Sequence, residues 1–398
     1  MKVLQINSVC GIRSTGRICT DLADVLNEHG HECRIAYGRE GVPEKYKPIA
    51  YRLGSETDVR LHALRARLFD SAGFGSRRVT EKLVGYIGEY NPDVIHLHNI
   101  HGYYLNIEVL FDHLSKADVP VVWTLHDCWA FTGHCAHFDY VGCYRWKNGC
   151  RDCPQKREYP ASFFLDRSKR NLQRKRELFT GVKNMTIVAP SEWLASLVGE
   201  SFLGRYPVYV IRNGIDLEVF KPTNSGFAEK YGLGDKRIVL GVASTWSERK
   251  GLRDFERLSE ILPKDKYKIV LAGTDDAQKK SISPDILCIG RTDSVSEIAG
   301  IYTAADVYVN ATYEDNFPTT NIEALACGTP VVTYNTGGST ESLTERCGRV
   351  VDKGDICALA RQVEEICSAD VLTEKECRTR AAAFDKKKCF EKYIGLYT

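Results

Sequence analysis

The sequence predicts an α/β protein made of two doubly wound parallel-sheet domains, and three observations carry that expectation. Short apolar runs alternate with longer segments of helical periodicity, the pattern of parallel strands covered by helices on both faces. The length, 398 residues, exceeds what one hydrophobic core usually serves. The alternation pauses at Asn213-Gly214-Ile215-Asp216 and the polar stretch 221–226, then restarts, which marks a hinge.

Taken in order, residues 2–7 read as a buried strand, followed by a loop with Gly11 and Gly16 and a helix from about 15 to 29. Strands follow at 33–37, 94–98, 119–125, 186–189 and 206–212, with helical segments between most of them. Beyond the hinge, 238–243, 267–272, 286–289, 306–310 and 330–334 read as strands. The last segment, 373–397, is helical and charged, with Phe384, Phe390, Tyr393 and Ile394 as its apolar residues. The expected divisions are 1–206 with a cysteine-rich insertion at about 128–160, then 207–385, then a C-terminal helix at 386–398 packing back on the first domain. Two such halves would face a cleft, with ligands at the carboxyl ends of the strands.

Composition narrows the function. Hydrophobic residues at 43% and charged residues at 27% suit a globular chain, and a formal net charge of +2 gives no reason to expect nucleic acid as a partner. The first apolar run is short and contains Gln5, unlike a secretion signal, and no run is long enough to cross a bilayer. A cytoplasmic location is expected. Most of the fifteen cysteines then read as reduced, buried thiols.

The segment from Glu314 to Val332 carries the chemistry. It reads as a loop with acids Glu314 and Asp315, a helix start, a stop at Gly328 and an apolar strand, with Glu323 in the first helical turn. Free amides at a helix start suit an anion, and flanking carboxylates suit hydroxyl groups, as in a sugar joined to a diphosphate. The plainer alternative is a capping box, Thr320-x-x-Glu323. Two further loops fit the first reading. Gly241-Val242-Ala243-Ser244-Thr245-Trp246-Ser247-Glu248-Arg249-Lys250-Gly251 places two cations after a strand, and Gly337-Gly338 offers bare backbone after another.

Together, the Arg249-Lys250-Gly251 loop, the acid-x7-acid spacing and Glu323-Ala324-Leu325-Ala326-Cys327-Gly328-Thr329-Pro330 resemble the retaining glycosyltransferases of family 4. The resemblance extends over nearly the whole chain. Trp123-Thr124-Leu125-His126-Asp127-Cys128-Trp129 and the cysteines after it are similar to bacterial enzymes of colanic acid and capsular or exopolysaccharide assembly. The resemblance implies two Rossmann-like domains in the GT-B arrangement and a nucleotide-sugar donor, UDP- or GDP-linked. It implies that Glu323 binds the ribose, Asp315 or its neighbour Glu314 holds sugar hydroxyls, and the amides of Asn316, Phe317, Pro318 and Thr319 border sugar and diphosphate. Lys250 would neutralise the diphosphate, Gly16 and Gly338 would admit backbone close to the ligand, and His126 would meet the donor sugar. The family's usual arginine five residues before the lysine is Thr245 here, so Arg249 is the candidate substitute. The sequence has no Asp-x-Asp motif, in keeping with departure of the diphosphate without a metal, and no cofactor is expected for catalysis.

Cys135-x7-Cys143-x6-Cys150-x2-Cys153 has four thiols, one pair at the x2 spacing of structural zinc sites. Zinc is one reading, with His134, His137 or Cys128 as substitute ligands. Reduced thiols or a disulfide pair are the other. Residues 167–176 and 60–78 interleave arginines and lysines with apolar residues, either as ordinary helix faces or as peripheral membrane contacts near a lipid-linked oligosaccharide acceptor. Rival functions are a sugar-nucleotide epimerase of the same fold and a zinc-braced binding protein without catalysis.

Overall fold

The computed structural model describes residues 1–292, 294–369 and 372–397. It divides into two compact units, Met1–Arg212 with the C-terminal stretch that begins at Cys389, and Asn213–Lys388.

The first unit is a seven-stranded, all-parallel sheet. Its strands are β1 (Lys2–Asn7), β2 (Glu32–Tyr37), β3 (Ala50–Arg52), β4 (Val94–Leu97), β5 (Val121–Thr124), β6 (Met185–Ala189) and β7 (Val208–Val210). Their order is β3-β2-β1-β4-β5-β6-β7, so the chain reverses direction across the sheet at β1 and β4. The central strands are buried on both faces, which explains their unbroken apolar runs. One face packs on the helix Arg13–Glu28 through Ile18, Leu22 and Leu26. The same layer takes up Phe390, Tyr393 and Tyr397 of the helix Lys386–Tyr397. Two buried hydrogen bonds fix that helix, Tyr397 OH with His96 Nδ1 at 2.7 Å and Tyr393 OH with Thr124 Oγ1 at 2.9 Å.

The expected boundary at 206/207 is wrong. Residues Ile187, Val188 and Ala189 of β6 pair in parallel with Val208, Tyr209 and Val210, so 207–212 complete the first sheet and the division falls at Arg212. The helical segment read at 373–397 consists of two helices with a turn between them. Glu374–Ala381 passes through a 3-10 turn, Ala382–Phe384, and Lys386–Tyr397 begins after Asp385. The break is pinned by Ile215, whose N–H donates to Phe384 O and whose carbonyl accepts from Lys386 N.

The second unit repeats the architecture with six parallel strands, β8 (Arg237–Val242), β9 (Tyr267–Ala272), β10 (Leu287–Ile289), β11 (Val307–Asn310), β12 (Val331–Tyr334) and β13 (Gly348–Val351). The order is β10-β9-β8-β11-β12-β13, with the reversal at β8 and β11. Short edge strands β3 and β13 are additions to the sequence reading. In both units the loops that matter leave the carboxyl ends of strands beside the reversal, where open α/β sheets bind ligands.

Candidate active site

In the second unit three loops at one sheet edge are laced together. The loop after β8 ends in a 3-10 turn, Glu248–Lys250, and Gly251 follows with φ +76°. A Cβ at Gly251 would stand 2.2 Å from Ala311 O, so only glycine lets this turn close on the loop after β11. Across that contact Lys250 Nζ lies 2.5 Å from Asp315 Oδ2, both side chains partly accessible. Arg249 instead donates from Nη1 to the Glu314 carbonyl at 2.6 Å, and its own carbonyl accepts from Tyr313 N at 2.8 Å. Arg249 thus holds the loop that carries the acids, while Lys250 reaches an acid directly. Between the two candidate acids, Asp315 is the one paired with Lys250, and the Glu314 side chain is buried.

The third loop contributes glycine for a reason the sequence reading misplaced. Gly337, at φ +52°, lies against Asp315 O, which a Cβ would approach to 1.9 Å, and Gly338 N donates to the same oxygen at 3.1 Å. The bare backbone there accommodates the acid loop itself.

Helix Thr319–Ala326 starts after Pro318, the N-cap, with no side-chain capping bond. The capping-box alternative therefore fails, and Glu323 stands beyond the first turn, which holds no acid. Its buried carboxylate accepts from Tyr302 OH at 3.1 Å. Asn321 is a core residue, bonded to Asn310, Ser339 O and Ser342 Oγ, and joins the helix start to the strand ends on either side. Asn316 and Phe317 are buried, and Phe317 packs on Phe384 while its carbonyl accepts from Asn213 Nδ2 at 3.2 Å.

In the first unit His126 follows β5 and belongs to a chain of imidazoles. His98 Nδ1 lies 3.1 Å from His126 Nε2, and His98 Nε2 lies 2.9 Å from Gln5 Oε1. The Gln5 amide nitrogen is committed to Cys19 O at 2.8 Å, so its oxygen must accept from His98 Nε2–H. Burial keeps His98 neutral and lowers His126 to a pKa of about 4. His98 Nδ1 is then an acceptor, His126 Nε2 carries the proton, and His126 Nδ1 keeps a lone pair. Next to it, Asp127 accepts from His101 Nε2 at 2.8 Å and from Trp129 N at 2.9 Å. Burial raises the Asp127 carboxyl, but His101, His137 and the Trp129 amide together outweigh it and hold the group ionised. His101 Nδ1 in turn meets Tyr159 OH at 3.0 Å. Gln5, His98 and His101 are members of this edge that the sequence reading did not assign. Strand register alone would not have found them, since it sets Gln5 beside His96 while the hydrogen bond goes to His98.

Gly16 is not in a loop. It lies inside helix Arg13–Glu28, and a Cβ there would meet Gly11 N and Val9 Cγ2, each at 3.1 Å. Its smallness lets the loop after β1 fold onto the helix start, and Gly11, at φ +71°, is the loop glycine.

The cysteine-rich segment has an aromatic core of its own. Phe131, Phe138 and Trp146 are buried together with ring centroids 5.0–6.5 Å apart. Cys135, Cys143, Cys150 and Cys153 line a common cavity. Among the described residues no three His, Cys, Asp or Glu side chains already stand where they could share a metal ion.

A family model described as Glycosyltransferase Family 4 matches residues 15–219, just over half of the chain. The chain belongs to glycosyltransferase family 4. A second model, Glycosyl transferases group 1, matches residues 225–384 of the transferase. Among curated relatives, the colanic acid biosynthesis glycosyl transferase WcaC of Escherichia coli (strain K12) is 24% identical, covering 100% of this chain and 99% of its own. The capsular polysaccharide biosynthesis glycosyltransferase CapM of Staphylococcus aureus is 27% identical over 41% of this chain and 45% of its own. Among solved structures, sucrose-phosphate synthase from Thermosynechococcus elongatus superposes with a TM-score of 0.74 at 19% identity, covering 100% and 98% of the two chains. Anabaena Alr3699/HepE in complex with UDP gives 0.68 at 16% identity, covering 100% and 99%. The transferase therefore has the GT-B fold.

Proposed function

We propose that this transferase moves a hexose-type unit from a nucleotide sugar, UDP- or GDP-linked, to a growing bacterial surface polysaccharide, with retention at the anomeric carbon. The observation that carries the reading is the Lys250–Asp315 pair at 2.5 Å, set beside the uncapped start of helix Thr319–Ala326 with Glu323 behind it. The polysaccharide acceptor rests on the full-length similarity to WcaC.

Each group has a task its chemistry suits. The amides of Asn316, Phe317 and Thr319 and the Lys250 ammonium receive the diphosphate, and Asp315 is released from Lys250 to accept sugar hydroxyls. Glu323 accepts from the ribose. In the first unit, His126 Nδ1 accepts a hydroxyl proton of the donor sugar. As the anomeric C–O bond breaks, its electron pair passes to the diphosphate oxygen, where Lys250 and the amides stabilise the added charge without need of a divalent metal. The acceptor hydroxyl attacks from the same face, and its proton goes to the leaving phosphate oxygen.

The acceptor is proposed to be lipid-linked and met at the inner face of the membrane. In the first unit, Leu61, Leu64 and Phe69 of the helix Glu56–Phe69 are exposed, as are Phe163 and Phe164, and Phe163 N donates to Arg67 O. Arg60, Arg65, Arg167, Lys169 and Arg170 lie in the same two segments, which suits an anionic lipid surface. No helix among the described residues is long and apolar enough to cross a membrane.

The test is transfer itself. With a lipid-diphosphate-linked saccharide and the right donor, the new linkage keeps the donor's anomeric configuration, read by NMR. A donor converted to its epimer with no acceptor present would instead assign the chain to the epimerase class.

A further inference from the structure

We propose that Cys135, Cys143, Cys150 and Cys153 bind one zinc ion that pins the loop 132–153. Four observations point to a metal and not to four idle thiols.

The four cysteines face one small cavity, which Thr132, His134, Arg145, Trp146 and Arg151 complete. Four thiols on one small cavity are the donor set of a structural zinc ion. The Cys150-x2-Cys153 turn is shaped in advance. Arg145 Nη1 donates to Arg151 O at 3.0 Å and to Asp152 O at 2.5 Å, Asp152 takes φ +44°, and Cys153 N donates to Asp166. Gly133 N donates to Cys150 Sγ at 3.2 Å, the amide-to-sulfur bond expected around a sulfur that carries charge.

The surroundings are prepared for negative charge. Lys175 is 1% exposed, and its ammonium donates only to the carbonyls of Trp129 and Thr132, at 2.7 and 3.1 Å. Among the described residues no carboxylate stands within ion-pair distance of it; burial lowers its pKa to about 7, and the Cys150 and Cys135 sulfurs lead the influences that raise it again. A zinc ion with four thiolates carries a net charge of −2, which favours the protonated Lys175 and is offset by it in part. Finally, His134 lines the same cavity, is 3% exposed and is held by Asp70 through Nδ1 at 2.6 Å, yet its buried Nε2 has no hydrogen-bond partner. With Nδ1 donating to Asp70, Nε2 keeps a lone pair, so His134 is the alternative ligand that the variants below distinguish from Cys135. Ligation requires the thiols to turn inward about their Cα–Cβ bonds, since they do not yet converge.

The bound ion would stiffen the segment that continues to Tyr159, the residue hydrogen-bonded to His101. The site is independent of the glycosyl-transfer reading, because it stands or falls on metal content.

The experiment is elemental analysis of the full chain purified without chelator. The proposal expects one zinc per chain and all fifteen thiols titratable by a thiol reagent after denaturation. Cobalt(II) exchanged into the site should give the sulfur-to-metal charge-transfer bands and intense d–d bands of a tetrahedral thiolate centre. Chelation should lower Tm, and added zinc should restore it. Cys150→Ser with Cys153→Ser should lose the metal, while Cys357→Ser, at an exposed cysteine, should keep it. Absence of metal together with no cobalt uptake overturns the proposal, as does a thiol count below fifteen, which would mean disulfides. Loss of metal in His134→Ala with retention in Cys135→Ser would overturn the four-cysteine ligand set. The cobalt spectrum and the chelation arm use the unaltered chain, so a variant that fails to fold does not decide the matter.

Discussion

His126 donates its Nε2 proton to His98 Nδ1 across 3.1 Å, and Gln5 on the far side of His98 imposes that direction. The consequence is a neutral His126 with Nδ1 available to a hydroxyl proton. His98→Leu removes the acceptor and lets His126 adopt the other tautomer. The expected loss is in kcat, by about tenfold to a hundredfold, with KM for donor little changed. A drop in thermal stability with unchanged kcat would show that the chain only packs the sheet edge.

Lys250→Ala should reduce kcat/KM by about a hundredfold to a thousandfold, the scale of losing a preorganised charge at a leaving group. Stability should change by no more than about 1 kcal/mol, because the Lys250–Asp315 pair is partly exposed and screened. Steady-state kinetics alongside urea unfolding separate the two effects.

Gly337→Ala and Gly85→Ala should act in opposite directions. The first forces a Cβ onto Asp315 O at a left-handed backbone position, so it should displace the acid loop and weaken donor binding. The second lies on the exposed face of the helix Arg77–Tyr90 with nothing near its would-be Cβ. It should stabilise the chain by about 0.5–1 kcal/mol. Denaturation midpoints of the two variants test this.

The first unit should be acid-labile. His62 is buried, accepts from Gly75 N at Nε2, and is lowered by burial to a pKa of about 4; His96 is lowered in the same way to about 3. An unfolded histidine titrates near 6.5, so between these values the unfolded chain binds more protons and stability rises with pH. This contribution is fully present above about pH 6.5 and is lost as pH falls toward 4, on the order of 3 kcal/mol for His62 alone. Unfolding followed at pH 7.5 and 5 should show the loss, and His62→Asn should flatten it.

Tyr397→Phe should cost about 1–3 kcal/mol, since it leaves His96 Nδ1 buried without its partner. A Tm equal to that of the unaltered chain would mean that the C-terminal helix is held by apolar packing alone.

Much of this was legible in the sequence, for identifiable reasons. Central strands such as Val121–Thr124 and Val331–Tyr334 are buried on both faces, so their apolar runs are continuous. The short edge strands Ala50–Arg52 and Gly348–Val351 carry Arg52 and Arg349, and such polar residues hide a strand. The boundary was misjudged because β7 is short and half exposed at an edge, so its membership of the first sheet shows only in its pairing with β6. The Lys250–Asp315 pairing joins two loops that the sequence marks separately, while Glu323 stands beyond the first helical turn in which the sequence places it. Gln5 was not legible. An isolated polar residue in a buried strand gains meaning only when a neighbouring strand sets a histidine beside it. Gly16 and Gly337 were recognised as constrained, but what fills the space of their missing side chains is the protein itself.

The central claim is that the second unit takes a nucleoside diphosphate sugar on Lys250, Asp315 and Glu323. Its most direct measurement is the thermal shift of the chain with UDP-, GDP-, ADP- and dTDP-sugars, repeated for Lys250→Ala and Glu323→Ala. A ligand that binds the folded state must raise Tm. The account predicts a rise with the UDP- or GDP-sugar that both substitutions diminish. No shift with any donor, or a shift that both variants retain in full, would contradict it.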